Sequence, residues 1–143
     1  MAAGDITIFD EAKLALLNGT HDLDTHVIKV CFIDNTTVPT ASDTTPTKSD
    51  YTEVSGGNFT AGGDTMTVSL TEAAGTVTLD FTSNISNASN GSNPANVYYA
   101  LIYNDTAASD DAIGFVEIDV TGFDATGGAL TLTWGASGVF TLA

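Results

Sequence analysis

TMTVSLTEAAGTVTLDF, residues 65–81, alternates apolar and polar side chains on both sides of a central Ala74-Gly75 pair. Successive side chains of a β-strand point to opposite faces, so this alternation predicts strands that bury only one face. The apolar positions on the two sides of the turn are Met66, Val68 and Leu70, then Val77, Leu79 and Phe81. The stretch therefore predicts an antiparallel hairpin with one face toward the core and one toward water.

Further strands are predicted on both sides of this hairpin, because apolar or alternating runs recur there between polar segments. These runs are His26–Ile33, Tyr51–Val54, Val97–Tyr103, Ala112–Val120, Leu130–Trp134 and Val139–Leu142. Turn-forming glycines and asparagines separate them, and no repeat of fixed period is present. The pattern predicts a mainly β fold, a single-domain antiparallel β-sandwich or barrel.

One short helix is predicted near the N-terminus, over Glu11–Asn18, with Asp10 as its cap. Gly19 follows it, and glycine is favoured where a helix ends in a left-handed turn. The apolar residues before the helix indicate an extended arm. The predicted organisation is therefore an arm over residues 1–9 and one β-rich domain over residues 10–143. The 15-residue loop Asn35–Ser49 is long for a compact domain, and such loops are often functional or disordered.

The chain is strongly acidic, because 18 Asp and Glu residues oppose only Lys13, Lys29 and Lys48, for a formal charge of −15. Nucleic-acid binding needs clustered Lys and Arg, and an anionic membrane surface would repel this charge, so the composition argues against both partners. The N-terminal residues resemble no signal peptide, and no stretch approaches a membrane span. The sequence predicts a soluble protein made in the cytoplasm. Its charge either matches a protein partner with a neutral or basic face or serves solubility alone.

Two candidate sites for chemistry lie in the first quarter of the chain. The segment His21-Asp-Leu-Asp-Thr-His26 holds two histidines and two carboxylates, which could bind a transition metal, but no further ligand cluster completes the site. Cys31, the sole cysteine, lies in an apolar run and is expected to be a buried, unreactive side chain. Neither pattern predicts a metal centre or a nucleophile.

Acidic and aromatic residues of the second half offer two further alternatives. The acidic residues are Asp105, Asp110, Asp111, Glu117 and Asp119, which would suit calcium, but the spacing of a calcium loop is absent. The aromatic residues are Trp134, Tyr98, Tyr99 and Tyr103, which could form a sugar-stacking platform, although their alternation places most of them in the core. The sequence therefore predicts no catalytic residues, no cofactor and no enzyme activity.

Several short segments together resemble a group of small virion proteins of tailed bacteriophages. These segments are Ala12–Gly19, Asp22–Val30, Tyr51–Gly63 and Tyr99–Asn104. In that group a lysine- and leucine-containing helix with a terminal Asn-Gly precedes a strand, a loop and a glycine-rich turn, and an Ala-Leu-Ile-Tyr strand follows later. The chain departs from the group at Cys31-Phe32, where Ala-Leu-Tyr is commoner, and in its complete lack of arginine.

The resemblance implies virion structure rather than catalysis. Its first implication is a capsid decoration (cement) protein that binds the outside of a phage head, contacting the major capsid protein and copies of itself as a homotrimer. The apolar arm and the helix would supply the assembly interface, for which the candidates are Ile6, Ile8, Phe9, Leu14 and Leu17. A phage tail or fibre component and a carbohydrate-binding or adhesion module are the alternatives.

Overall fold

The computed structural model describes residues 6–135 and 138–142. It is mainly β, with antiparallel sheets and one α-helix, which confirms the predicted fold class and is consistent with a single-domain β-sandwich. The elements in chain order are β1 Thr7–Ile8, α1 Asp10–Leu17, β2 Ile28–Ile33, a 3-10 turn Lys48–Asp50, β3 Asp64–Met66, β4 Val68–Ala73, β5 Thr76–Phe81, β6 Ile85–Asn87, β7 Tyr99–Asn104, β8 Asp111–Glu117, β9 Leu130–Leu132 and β10 Phe140–Leu142. The described strands do not close a barrel.

A five-stranded sheet in the order β1-β8-β7-β2-β3 forms the centre of the molecule. Strands β2 and β7 pair along their whole length, from Ile28↔Asn104 to Ile33↔Tyr99. Both strands are buried along nearly all of their residues, as expected for near-continuous apolar runs covered on both faces. The core of the domain therefore lies around this strand pair.

The predicted hairpin is present as β4 and β5, which belong to a separate three-stranded sheet in the order β10-β5-β4. Ala74 and Gly75 both have positive φ angles, 53° and 84°, as a two-residue hairpin turn of primed type requires. The register pairs Leu70 with Leu79, which places the apolar residues on one face. The strand is interrupted at Thr67, since Met66 belongs to β3 in the central sheet. The chain therefore passes from the central sheet to the three-stranded sheet at Thr67, although apolar and polar residues continue to alternate through that point.

The interpretation of residues 6–9 as a free arm requires correction. Thr7 and Ile8 form β1, which pairs with Phe115 and Gly114 of β8, and Phe9 is fully buried. A Cβ atom at Gly114 would lie 2.8 Å from the Thr7 carbonyl oxygen, so the glycine permits this close approach. Pairing with β8 satisfies backbone groups that the edge strand would otherwise leave open. Residues 1–5 of the predicted arm lie outside the described residues.

Two local expectations also differ from the structure. Helix α1 begins at Asp10, which lies in the first turn, and its N-cap is Phe9 without a side-chain cap hydrogen bond. The expected end is confirmed, since Gly19 follows Asn18 with a φ of 80°. The predicted strand Tyr51–Val54 is reduced to an isolated bridge between Ile33 and Glu53. The segment around Glu53 therefore joins the edge of β2 by one bridge instead of forming a strand.

Candidate functional site: the surface around helix α1

Helix α1 forms an exposed ridge on the surface of the domain. Ala12 is its buried residue, whereas 59% of Leu14 and 83% of Leu17 are exposed to solvent. Exposing two leucines on an eight-residue helix leaves apolar area in contact with water, although single exposed apolar residues are common. What distinguishes these leucines is the surface on each side of them.

An apolar groove lies along one flank of the ridge, between α1 and strand β10. A cavity of about 250 Å³ there is lined by Ile8, Lys13, Leu16, Leu17, Phe140, Thr141 and Leu142. A second, more open cavity shares Leu16, Leu17 and Leu142 with it and extends the surface to Leu23 and Leu70. We define the apolar groove as the surface formed by Ile8, Leu16, Leu17, Leu23, Leu70, Phe140 and Leu142. Contiguous exposed apolar surface of this kind often marks an interaction site.

The three-stranded sheet supplies one wall of the groove because its apolar face is only half covered. Leu79 and Phe81 of β5 are buried, but Leu70 of β4 and Leu142 of β10 are 42% and 54% exposed. The register pairs Leu142 with Val77 and Leu70 with Leu79, which puts all of these side chains on one face. Leu79 and Phe81 therefore belong to the core, whereas Leu70 and Leu142 face solvent beside α1.

A polar pocket, which we call the acidic pocket, lies along the other flank of the ridge. It has a volume of about 200 Å³ and is lined by Glu11, Ala12, Leu14, Ala15, Asn18, Thr20, His21, Thr45, Pro46, Asp111 and Ala112. Its charged groups are the carboxylates of Glu11 and Asp111. Burial lowers the pKa of His21, an effect that the negative charge of Asp111 partly opposes. At neutral pH the pocket therefore carries negative charge beside a neutral imidazole.

The structure brings His21 and His26 together at the side-chain amide of Asn104. The Asn104 side chain is fully buried, and its Nδ2 lies 3.1 Å from His21 Nδ1 and 2.9 Å from His26 Nδ1. The orientation of the amide is set because its Oδ1 accepts the backbone N–H groups of Thr106 and Ala107. Nδ2 can only donate, so each Nδ1 accepts and each ring carries its proton on Nε2. The two rings and Asn104 join the α1–β2 connection to the end of β7.

The carboxylate of Asp22, in the same segment, forms hydrogen bonds with its neighbours in the chain. Asp22 accepts hydrogen bonds from the Thr25 hydroxyl at 2.7 Å and from the backbone N–H of Asp24. The bond from Thr25 is the main reason why the pKa of Asp22 is lowered. Within residues 6–135 and 138–142, no three His, Cys, Asp or Glu side chains are grouped so that they could hold a metal ion. Asp22 and Asp24 instead lie at the open end of the apolar groove.

The other candidates from the sequence are mostly engaged in structural contacts. Cys31 is fully buried, and burial raises the pKa of its thiol to about 12, so it stays protonated. Asp105 forms an ion pair with Lys29 at 2.9 Å. Trp134 is buried and donates its Nε1–H to the Ser83 carbonyl, and Tyr103 is buried as well. These side chains therefore offer neither a reactive thiol nor an exposed aromatic platform.

The five candidate interface residues are divided by their burial. Leu14 and Leu17 are exposed on the ridge, and Ile8 lines the groove although it is partly buried. Ile6 packs against the core, and Phe9 is fully buried between Tyr51 and Phe115, with ring centroids 6.2 and 5.2 Å away. Leu16, Phe140 and Leu142 were not singled out from the sequence. Apolar residues are ordinary at such positions of a helix or a strand, so no local pattern marked these three as part of a site. They belong to one surface only because β10 lies next to α1.

In the described part of the chain, no helix has the length and apolar character needed to cross a membrane. Comparisons with protein-family models, with curated proteins and with solved structures found no match to this chain.

Proposed function

We propose that this chain is a non-enzymatic structural protein that docks on a larger assembly through the surface around α1. The observation that carries the proposal is the apolar groove, in which residues from α1, β4 and β10 leave a contiguous apolar surface open to solvent. The assembly we propose is the head of a tailed bacteriophage, on which the chain acts as a capsid decoration protein. That part rests on the resemblance of the helix, turn and strand segments to virion proteins.

The energetics of the groove suit an adhesive role. Removing a leucine side chain from water contributes about 1.5–3 kcal/mol when burial is complete. Leu17, Leu142 and Leu70 each offer a large part of that area. The cost of immobilising the partners offsets much of this gain in a single contact. Contacts repeated over a symmetric lattice, with further contacts between trimer mates, would hold a coat without covalent links.

The test is the composition of the particle. Virions of a phage whose genome encodes this chain are purified, and the copy number of the chain is measured by quantitative mass spectrometry. The proposal expects a copy number comparable to that of the major capsid protein. A copy number of only a few would assign the chain to the tail instead, and its absence from virions would overturn the virion proposal.

A binding experiment tests the surface itself. Heads that lack the chain are mixed with the purified wild-type protein or with variants, pelleted, and analysed for bound protein. Leu17→Ser should reduce co-sedimentation, since Leu17 is the most exposed residue of the groove. Val120→Ser is the matched control, because Val120 is 72% exposed but is not among the groove residues. Equal binding of both variants and the wild type would exclude the groove as the docking site.

A further inference from the structure

We propose that the partner of this surface is a protein segment that carries large aliphatic side chains with lysine or arginine beside them, and that it straddles α1. The inference rests on the proposed use of the surface around α1 for docking, and it specifies the chemistry of what docks there. Its aliphatic side chains occupy the apolar groove on one flank of the helix. Its cationic groups face the carboxylates on the other flank and at the end of the groove.

The positions of the acidic residues around the ridge support a partner with basic side chains. Glu11 and Asp111 line the acidic pocket on one flank, and Asp22 and Asp24 lie at the open end of the groove. These carboxylates border the aliphatic and aromatic side chains of the groove, whose cavity is also lined by Lys13 and Thr141. A basic segment would gain attraction to this border without placing a charge inside the groove.

The three lysines of the chain do not neutralise the negative charge of these carboxylates. Lys13, which lines the cavity between α1 and β10, lies 2.7 Å from a carboxylate oxygen of Asp10. Lys29 pairs with Asp105 at 2.9 Å, and Lys48 pairs with Glu53 at 2.8 Å. His21 adds no positive charge to the acidic pocket at neutral pH, because burial keeps its ring neutral. Among the described residues, the ion pairs of the three lysines therefore leave Glu11, Asp22, Asp24 and Asp111 without a cationic partner.

The same charge distribution disfavours a second copy of this chain in the groove. Two copies meeting face to face would oppose the same carboxylates, and each carries a formal charge of −15. Like charges at an interface lower affinity and slow association. A partner with basic residues beside its apolar side chains removes this repulsion. Contacts between copies in a trimer would then use a different face.

The probe is a synthetic amphipathic helical peptide with leucines on one side and lysines on the other. Two comparison peptides have the same leucines with glutamates, or the same composition in scrambled order. Binding to the full chain is measured by isothermal titration calorimetry at low and high sodium chloride. We expect the leucine–lysine peptide to bind tightest and to weaken with salt, because its charges face a solvent-exposed acidic border. Equal affinity for the scrambled or the glutamate peptide would overturn the inference.

Variants separate the apolar from the ionic part of the contact. Leu17→Ser should weaken binding of the leucine–lysine peptide by about tenfold, because one buried leucine contributes at least that factor. Glu11→Gln and Asp111→Asn should each weaken it at low salt and leave it unchanged at high salt. Glu117→Gln, at the opposite end of β8 from Asp111, and Val120→Ser are the controls. If the controls lower the affinity as much as the ridge variants do, binding is non-specific and the inference is wrong.

The outcomes also separate this inference from the proposed function. Peptide binding at the ridge by a chain that is absent from virions would leave the inference standing and remove the virion proposal. Presence in virions with no preference for the basic peptide would leave the virion proposal standing and remove the inference.

Discussion

Replacing Phe9 by alanine tests whether the residues before α1 belong to the core or to a detachable arm. The Phe9 ring is fully buried and packs against Tyr51 and Phe115, and its backbone N–H donates to the Ile113 carbonyl at 3.1 Å. Truncating a buried phenylalanine to alanine costs about 3–5 kcal/mol through lost apolar transfer and the cavity left behind. For a chain of this length each kcal/mol lowers the melting temperature by about 3 °C. We therefore expect Phe9→Ala to melt about 10–15 °C below the wild type.

The measurement is thermal unfolding followed by circular dichroism, with the free energy of unfolding taken from urea titration. Leu14→Ala is the control, because Leu14 is exposed on the adjoining helix and its truncation should change stability by about 0.5 kcal/mol or less. Deleting residues 1–9 should destabilise the domain further, since the deletion also removes β1 from the edge of β8. If Phe9→Ala and Leu14→Ala have the same melting temperature, Phe9 does not pack in the core. The interpretation of residues 1–9 as an arm would then be correct.

Three further predictions concern titration, salt and reactivity. Burial lowers the pKa of His21 from 6.5, so the unfolded state takes up the proton more readily. Stability should be constant above about pH 6.5 and fall as the pH drops toward the folded-state pKa; urea midpoints that do not change between neutral and mildly acidic pH would contradict this. The melting temperature should rise with sodium chloride, because 18 acidic and three basic side chains repel one another and salt screens them; a flat curve would mean that the acidic groups are already neutralised. Cys31 should resist iodoacetamide in the native protein and react in denaturant, since its thiol pKa is about 12; rapid native labelling would contradict its burial.

Local sequence was sufficient for features that depend on neighbouring residues. The alternation of residues 65–81 is a period of two, and a strand with that period presents one apolar face whatever it pairs with. The turn at Ala74-Gly75 and the helix end at Gly19 each place a glycine at a positive φ angle, which glycine adopts without steric cost. The near-continuous apolar run His26–Ile33 predicted a strand, and the structure places this strand, β2, at the centre of the main sheet. The acidic composition was likewise known before any fold.

Only the tertiary structure decided which distant segments meet. The residues before α1 have no local partner, and their place on β8 depends on Gly114, more than a hundred positions later, leaving room for the backbone of Thr7. Asn104 gave no signal as the residue that would join His21 and His26, because hydrogen bonding across about 80 positions leaves no local period. The apolar groove arises in the same way. Leu16 and Leu142 have no local feature that marks them as part of an interface, and they form one surface because strand pairing carries β10 next to α1. Side-chain period is a property of the local backbone, whereas the choice of pairing partner is set by packing over the whole chain.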